Sequence, residues 1–215
     1  KVIGATVYGF AKEITRDHPV DYLFVDEASQ VALANLVVAS GAAKNIILMG
    51  DQMQLEQPIQ GSHPENAGAS ALEFMLKTHA VIPEDKGIFL ERTYRMHQAV
   101  CQPLSEIVYE GKLHADADNR KQAIVVPIPK LITKQNGILP ILVKHQGNTQ
   151  SSQEEVDKIK AIIAELKTAQ FIDKDQVTHP ITEESILIVA PYNMQVNLLK
   201  EQLGSNYKIG TIDKF

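Results

Sequence analysis

Short apolar runs alternate with helix-like segments in the first third of the chain. Runs of strand length give way to segments whose apolar residues recur with helical spacing. Ser70, with Glu73 three residues later, has the pattern of a capping box at the start of one such helix. This alternation predicts βαβ units around a parallel sheet. The predicted strands are 2–10, 22–25 and 45–51, and the predicted helices are 31–42 and 70–79.

A second α/β pattern follows a polar stretch at 79–87, which is predicted to be a linker because it carries Pro83 and Gly87. The helix predicted at 98–111 contains Pro103, which should kink it or mark its first turn. We therefore expect an α/β fold with two units, of which the first is incomplete. The further predicted strands are 87–96, 138–147, 185–192 and 207–215, and the further predicted helices are 151–170 and 195–204.

Composition narrows the class of protein without naming a function. The 215 residues are 44% hydrophobic and 22% charged, which is typical of a folded protein with its own core. No apolar run approaches the roughly 18 residues of a membrane span. Cys101 is the one cysteine, so an internal disulfide is excluded and a cytoplasmic location is expected. With a net charge of −5, nucleic-acid binding would need a local surface of basic, hydroxyl or backbone groups.

Acidic residues end two of the predicted strands. The run 22–25 predicts a strand buried on both faces, and Asp26 and Glu27 follow it directly. The next strand ends in Gly50 and Asp51. Ligands of open α/β sheets bind at the carboxyl ends of the strands, where one acid could hold Mg²⁺ and another could orient water. A solvated acidic pair at a helix N-terminus is the alternative interpretation.

Five blocks, in order along nearly the whole chain, carry a resemblance to a known family. Together they resemble superfamily 1B helicases, AAA-type DNA helicases of the branch that holds the nonsense-decay helicase and the replication helicase–nucleases. The blocks are DEASQ at 26–30, GDQMQLEQP at 50–58, LERTYRMHQAVCQPLSEIVYEGKL at 90–113, ILIVAPYNMQVNLLKEQL at 186–203 and IGTIDKF at 209–215. The resemblance implies two RecA-like parallel-sheet units, residues 1–81 and 82–215, with ATP hydrolysed between them.

The resemblance also implies roles for individual residues, beginning with ATP hydrolysis. Asp26 would hold Mg²⁺, and Glu27 would act as general base on the attacking water. Arg95 would approach the γ-phosphate as an arginine finger, a group whose loss typically slows turnover about 10³–10⁵-fold. A strand that continued past Thr93 would turn Arg95 away from Tyr94, so we expect the chain to turn there. The remaining nucleotide-site residues implied are Gln30, Asp51, Gln54, Tyr94 and Gln195, with Gln30 and Gln54 sensing the γ-phosphate, Tyr94 stacking on adenine and Gln195 coupling ATP to nucleic acid.

The implied partner is single-stranded nucleic acid, with DNA favoured over RNA and movement from 5′ to 3′. Backbone contacts without sequence preference would hold the strand. No membrane association is expected, and the full-length protein could carry a nuclease domain elsewhere. The residues implied in nucleic-acid contact are Thr6, Pro191, Tyr192 and Thr211.

One departure from the family qualifies these roles. No G-x-x-x-x-G-K-[ST] pattern occurs, so we expect the phosphate-binding loop before Lys1 and the last arginine-bearing motif after Phe215. The fragment alone is then expected to be inactive. Two alternatives stay open: a helicase-derived module that binds nucleic acid or protein without hydrolysis, and a two-metal nuclease site made by Asp26, Glu27 and Asp51.

Overall fold

The computed structural model describes residues 2–12, 17–54 and 68–215. The end of the GDQMQLEQP block, 55–58, lies outside the described residues. Contacts divide the chain into two units. The first comprises Lys1–Phe89 with Val108–Glu110, and the second comprises Leu90–Ile107 with Gly111–Phe215.

The first unit is built on a pair of parallel strands. β1 runs beside β2 with Val20 opposite Ala43 and Val25 opposite Leu48, so the carboxyl ends of both strands lie at one edge. The helix predicted at 70–79 is confirmed, including its capping box between Ser70 and Glu73. The elements of the unit are α1 (Val7–Phe10), β1 (Val20–Val25), a 3₁₀ turn (Ala28–Gln30), α2 (Leu33–Ser40), β2 (Ala43–Leu48) and α3 (Ala71–Leu76).

The core of the first unit lies beneath the strand ends. Leu72 and Leu76 of α3 pack around Ala28, which is fully buried, and Val25, Leu48 and Ile82 surround this cluster. The prediction that β1 is buried on both faces is wrong for the described residues. Leu23 is 6% exposed, whereas Tyr22 and Phe24 on the opposite face are 58% and 60% exposed. No described layer of the first unit covers that second face.

The second unit combines parallel strand pairs with one small antiparallel sheet. β3 pairs with β4 and β8 pairs with β9, both in parallel, while β5, β6 and β7 form an antiparallel sheet. Its elements are β3 (Arg92–Thr93), α4 (Gln98–Val108), β4 (His114–Ala115), a 3₁₀ turn (Ala117–Lys121), β5 (Ala123–Val125), α5 (Gln153–Leu166), β6 (Gln170–Ile172), β7 (Thr178–Pro180), a 3₁₀ turn (Glu183–Ser185), β8 (Leu187–Val189), α6 (Asn193–Leu203), β9 (Lys208–Gly210) and a 3₁₀ turn (Ile212–Lys214).

Helices α5 and α6 build the core of the second unit against β8 and β9. Val156 and Leu199 are its most deeply buried side chains, and the strands contribute the buried Ile188 and Ile209. Glu165, near the end of α5, accepts hydrogen bonds from the backbone N–H groups of residues 130–132 at 2.8–3.1 Å. Burial raises the pKa of Glu165, but these three donors, with the Lys130 charge, outweigh it and hold that pKa below its usual value.

Four predicted strands need correction. The strand predicted at 207–215 is a strand only at Lys208–Gly210 and continues as the 3₁₀ turn Ile212–Lys214. Residues 2–10 contain helix α1 rather than a strand, because the amides of Gly9 and Phe10 bond to the Thr6 carbonyl and α1 packs against α2. Residues 138–147 contain no regular strand, and Pro140 within them has no N–H for a sheet ladder. The strand predicted at 87–96 is reduced to Arg92–Thr93. The fold is thus mixed α/β with parallel strand pairs, and no helix within the described residues has the length and apolarity to cross a membrane.

Candidate functional site

The acidic residues of the first unit lie together at the carboxyl edge of β1 and β2. The ladder continues beyond the strands, since Met49 N–H donates to the Val25 carbonyl and Ala28 N–H donates to the Met49 carbonyl, each at 2.8 Å. Asp26 and Glu27 therefore leave β1 beside the point where Gly50 and Asp51 leave β2. This is the edge at which open parallel sheets bind ligands.

Gly50 makes this close approach possible. Its φ is +156°, and a Cβ at this position would lie 2.9 Å from Ala28 N and 3.0 Å from Leu72 Cδ1. A side chain here would push apart the two turns that carry the acids. Glycine is therefore required both by the backbone angle and by the space.

Glu27 occupies a left-handed backbone conformation, with φ 50° and ψ 45°. Such a conformation is uncommon for glutamate and is concentrated at functional sites. Its carbonyl accepts from Gln30 N–H at 2.8 Å, and its N–H donates to Asp26 Oδ1 at 3.1 Å. Both acids and Gln30 are exposed, while Ala28 and Ser29 between them are buried. The turn anchors itself through its small residues and presents its polar residues to solvent.

Asp26 has the donor chemistry for Mg²⁺ in a nucleotide site. Mg²⁺ typically takes one or two carboxylates together with phosphate oxygens and water, rather than a cage of protein ligands. Asp26 Oδ1 accepts one backbone N–H, and the exposed carboxylate keeps further acceptor capacity. Across the described ranges, no three His, Cys, Asp or Glu side chains are grouped closely enough to hold a metal ion. Asp26 therefore has donor chemistry that suits Mg²⁺ held together with a phosphate, and the two-metal nuclease site stays an alternative prediction.

Asp51 is a hydrogen-bond acceptor for three groups. Its Oδ1 accepts from Met53 N–H at 2.9 Å, and its Oδ2 accepts from the Gln54 side-chain amide at 3.2 Å. Oδ2 also accepts from the Tyr109 hydroxyl. Asp51 thus fixes the turn that carries Gln54, and its carboxylate is already engaged within the protein.

Tyr109 was missed by the sequence reasoning. Its side chain is 8% exposed, and its ring lies 6.1 Å from that of Phe89. Burial, followed by the hydrogen bond to Asp51, raises the pKa of Tyr109 well above its usual range, so the phenol stays a hydrogen-bond donor. The aromatic character of Phe89 and Tyr109 was visible in the sequence, but nothing there pointed to Asp51.

Tyr94 and Arg95 lie on a bend that follows β3. The strand ends at Thr93 and residues 94–96 bend, which confirms the predicted turn. Arg92 pairs with Asp116 at 3.5 Å, whereas within the described part of the chain Arg95 has no ion-pair partner. Tyr94 is 72% exposed. Both side chains are thus available to a ligand.

Gln195 is placed differently from the other predicted site residues. Its side chain is 4% exposed, and its amide accepts from Ser152 N–H at 2.7 Å and donates to the Ser152 carbonyl at 3.2 Å. In the second unit it therefore anchors the start of α5. Its coupling role stays a prediction.

The residues predicted to contact nucleic acid lie at or just before the N-termini of α1, α6 and the last 3₁₀ turn. Tyr192 caps α6 and Thr211 caps the last 3₁₀ turn, and neither uses its side chain as a cap. Both follow the carboxyl ends of the paired strands β8 and β9, as does the exposed Pro191. In the first unit, the exposed Thr6 precedes α1, also without a side-chain capping bond. These hydroxyl groups are open to hydrogen bonding.

Comparison with known proteins identifies the class. The sequence motifs have the pattern of superfamily 1B helicases. The mixed α/β fold, with acidic residues at the ends of parallel strands, agrees with that pattern. The chain belongs to the AAA domain family AAA_12, which matches residues 67–215.

Its relatives are much longer proteins. It is 25% identical over 224 residues to the DNA polymerase alpha-associated DNA helicase A of Schizosaccharomyces pombe, covering 100% of this chain and 33% of that protein. It is 22% identical over 237 residues to the DNA replication ATP-dependent helicase/nuclease dna2 of the same yeast, covering 100% and 16%. It is 29% identical over 128 residues to the 5'-3' DNA helicase ZGRF1 of Mus musculus, covering 59% and 7%. The chain spans a third or less of each of these three relatives.

Proposed function

We propose that this chain is the part of an ATP-dependent DNA helicase that carries the water-activating acids and the arginine finger. The observation that carries the proposal is the meeting of Asp26 and Glu27 with Gly50 and Asp51 at one edge of parallel strands. Family membership and the helicase names of the relatives support the same function.

The two acids would divide the chemistry. Asp26 would hold Mg²⁺, which neutralises charge on the phosphates when it is bound. Glu27 would accept the proton of the attacking water, because its carboxylate is exposed at the tip of a fixed turn. Gln30 follows Glu27 in the 3₁₀ turn, and Gln54 is held by Asp51, so both amides would report the state of the γ-phosphate.

Arg95 would supply positive charge to the phosphate in the transition state. A guanidinium with no ion-pair partner in the described residues keeps all its donors for that purpose. Tyr94, exposed on the same bend, would stack on the adenine. Each unit would then be a RecA-like domain, with limits near residues 1–81 and 82–215.

Single-stranded DNA would be the track, and movement would run from 5′ to 3′. The relatives' names support both points, since all three reported relatives are named as helicases that act on DNA or in its replication, and one of the three is named as a 5'-3' DNA helicase. Pro191, Tyr192 and Thr211, together at the carboxyl end of β8 and β9, would contact the backbone of the strand. Because the 215 residues contain no phosphate-binding loop pattern, we propose that they do not hydrolyse ATP by themselves.

The test uses the full-length protein and DNA duplexes with a single-stranded tail. We expect ATP-dependent unwinding of a duplex with a 5′ tail and none with a 3′ tail, together with ATP turnover stimulated by single-stranded DNA. Single-stranded RNA of the same sequence distinguishes the DNA and RNA preferences. DNA binding without turnover would contradict the proposal and favour the non-hydrolysing module.

A further inference from the structure

The bend that carries Tyr94 and Arg95 is held by hydrogen bonds from a buried side chain of the second unit. Asn119 lies in the 3₁₀ turn Ala117–Lys121 and is 2% exposed. Its side-chain amide donates to the Met96 carbonyl at 3.1 Å and to the Thr93 carbonyl at 3.4 Å. One buried amide therefore joins the two ends of the bend, with Tyr94 and Arg95 between them.

His97 makes a second link between the same two segments. Its Nδ1 accepts from Ala99 N–H at 2.9 Å and thereby caps α4. Because Nδ1 accepts, the neutral ring carries its proton on Nε2, which donates to the Arg120 carbonyl at 3.3 Å. The ring thus joins the start of α4 to the turn that holds Asn119.

The turn itself is held to the strand by the backbone and by its own cap. Asp116 N–H donates to the Thr93 carbonyl at 2.9 Å, and Asp116 Oδ1 accepts from Asp118 N–H at 3.0 Å. Arg92 also pairs with Asp116, so its guanidinium is used in holding this turn. Arg95 has no such anchor for its guanidinium among the described residues, so the held bend fixes only the backbone from which its side chain extends.

We propose that Asn119 and His97 are positioning residues that hold the Thr93–His97 bend so that Arg95 is presented to the phosphate. This inference rests on the proposed function of Arg95. A fixed arginine stabilises the transition state only if its donors are placed before the reaction, and a misplacement of about 1 Å can slow turnover about 100-fold.

The test is a double-variant cycle in the full-length protein. Asn119→Asp keeps the size of the side chain but replaces its two N–H donors with an acceptor facing two carbonyls. We expect kcat for DNA-stimulated ATP hydrolysis to fall about 10- to 100-fold, with nucleotide-free DNA affinity unchanged. In an Arg95→Ala background the same change should lower kcat less than about twofold, because Asn119 acts through Arg95.

His97→Asn gives a second variant at an accessible site. Asparagine is a good helix cap but is too short to reach Arg120, so α4 is kept and one link is lost. We expect kcat to fall about 3- to 10-fold. Asn206→Asp, the same amide-to-carboxylate change at an exposed position, is the control and should leave kcat unchanged.

Three results would overturn the inference. The first is an Asn119→Asp protein with the kcat of the parent, and the second is a His97→Asn protein with the kcat of the parent. The third is a double variant, Asn119→Asp with Arg95→Ala, whose loss in kcat equals the product of the two single losses. If Arg95→Ala and Glu27→Gln also turn over at the parent rate, the proposed function fails as well. If those two variants lose turnover but Asn119→Asp and His97→Asn do not, the inference alone fails.

Discussion

Replacing Gly50 with alanine tests the close approach on which the candidate site depends. The new Cβ would lie 2.9 Å from a backbone nitrogen, Ala28 N, so one of the two strand-end turns must shift. The φ of +156° adds strain that glycine does not have. Backbone strain of about 1–3 kcal/mol and overpacking of about 1–3 kcal/mol predict a loss of roughly 2–6 kcal/mol in the free energy of unfolding.

Native-state hydrogen exchange measures this loss where it arises. In Gly50→Ala, the amides of Ala28 and Met49 should exchange at least about 30-fold faster, since their hydrogen bonds connect the two turns. Gly147→Ala is the matched control, because Gly147 has a φ of +77° and no atom within 4 Å of its added Cβ. That variant should lose only the backbone part, about 1–2 kcal/mol. Equal losses in the two variants would refute the close approach.

Two further changes probe the site and its surroundings, and a third probes the hydrogen bonds between Glu165 and residues 130–132 in the second unit. Tyr109→Phe removes one of three donors to Asp51 and should lower the free energy of unfolding by about 1.5 kcal/mol in urea denaturation. Glu27→Asn relieves left-handed strain and should raise that free energy by about 0.5–1 kcal/mol while abolishing ATP turnover. Glu165→Gln removes a carboxylate whose pKa is lowered on folding, so the parent protein should have the higher melting temperature at neutral pH. That advantage is fully present above the ordinary carboxyl pKa of 4.5 and should be lost as pH falls through the lowered folded pKa of Glu165.

Two of these changes have matched control variants, and each of the three has an outcome that would contradict it. Tyr8→Phe, at a side chain 78% exposed, should leave stability unchanged. An equal loss of stability in Tyr8→Phe would show that the hydrogen bond to Asp51 does not explain the loss in Tyr109→Phe. Gln176→Asn, at a φ of 66°, should gain similar stability without loss of turnover. An active Glu27→Asn protein would exclude Glu27 as the base. A Glu165→Gln difference that persists unchanged to pH 2 would show that the charge of Glu165 is not what binds the segment 130–132.

Local signals predicted local structure well. The capping box of Ser70 and Glu73 spans three residues, and helix α5 shows its apolar face within its own sequence. The acids at 26–27 and 51 were recognised because parallel strands bring their carboxyl ends to one edge without any knowledge of side-chain contacts. Where the residues of a single element determine its structure, the sequence pattern was sufficient to predict that structure.

Distant contacts could not be predicted in this way. Tyr109 reaches Asp51 across 58 positions, and Asn119 reaches Thr93 across 26. Each is an ordinary polar or aromatic residue whose structural role depends on the groups that pack beside it. The strand prediction for residues 2–10 was wrong for a related reason, because packing of α1 on α2 outweighs the weak strand preference of the segment.

The most direct measurement of the central claim is ATP turnover by full-length Glu27→Gln protein in the presence of single-stranded DNA. We expect a loss of about 10²–10⁴-fold in kcat, as for removal of a general base, with ATP binding retained. Glu84→Gln, an exposed residue outside the site, should turn over at the parent rate. Parent-level turnover by Glu27→Gln would contradict the assignment of the DEASQ acids.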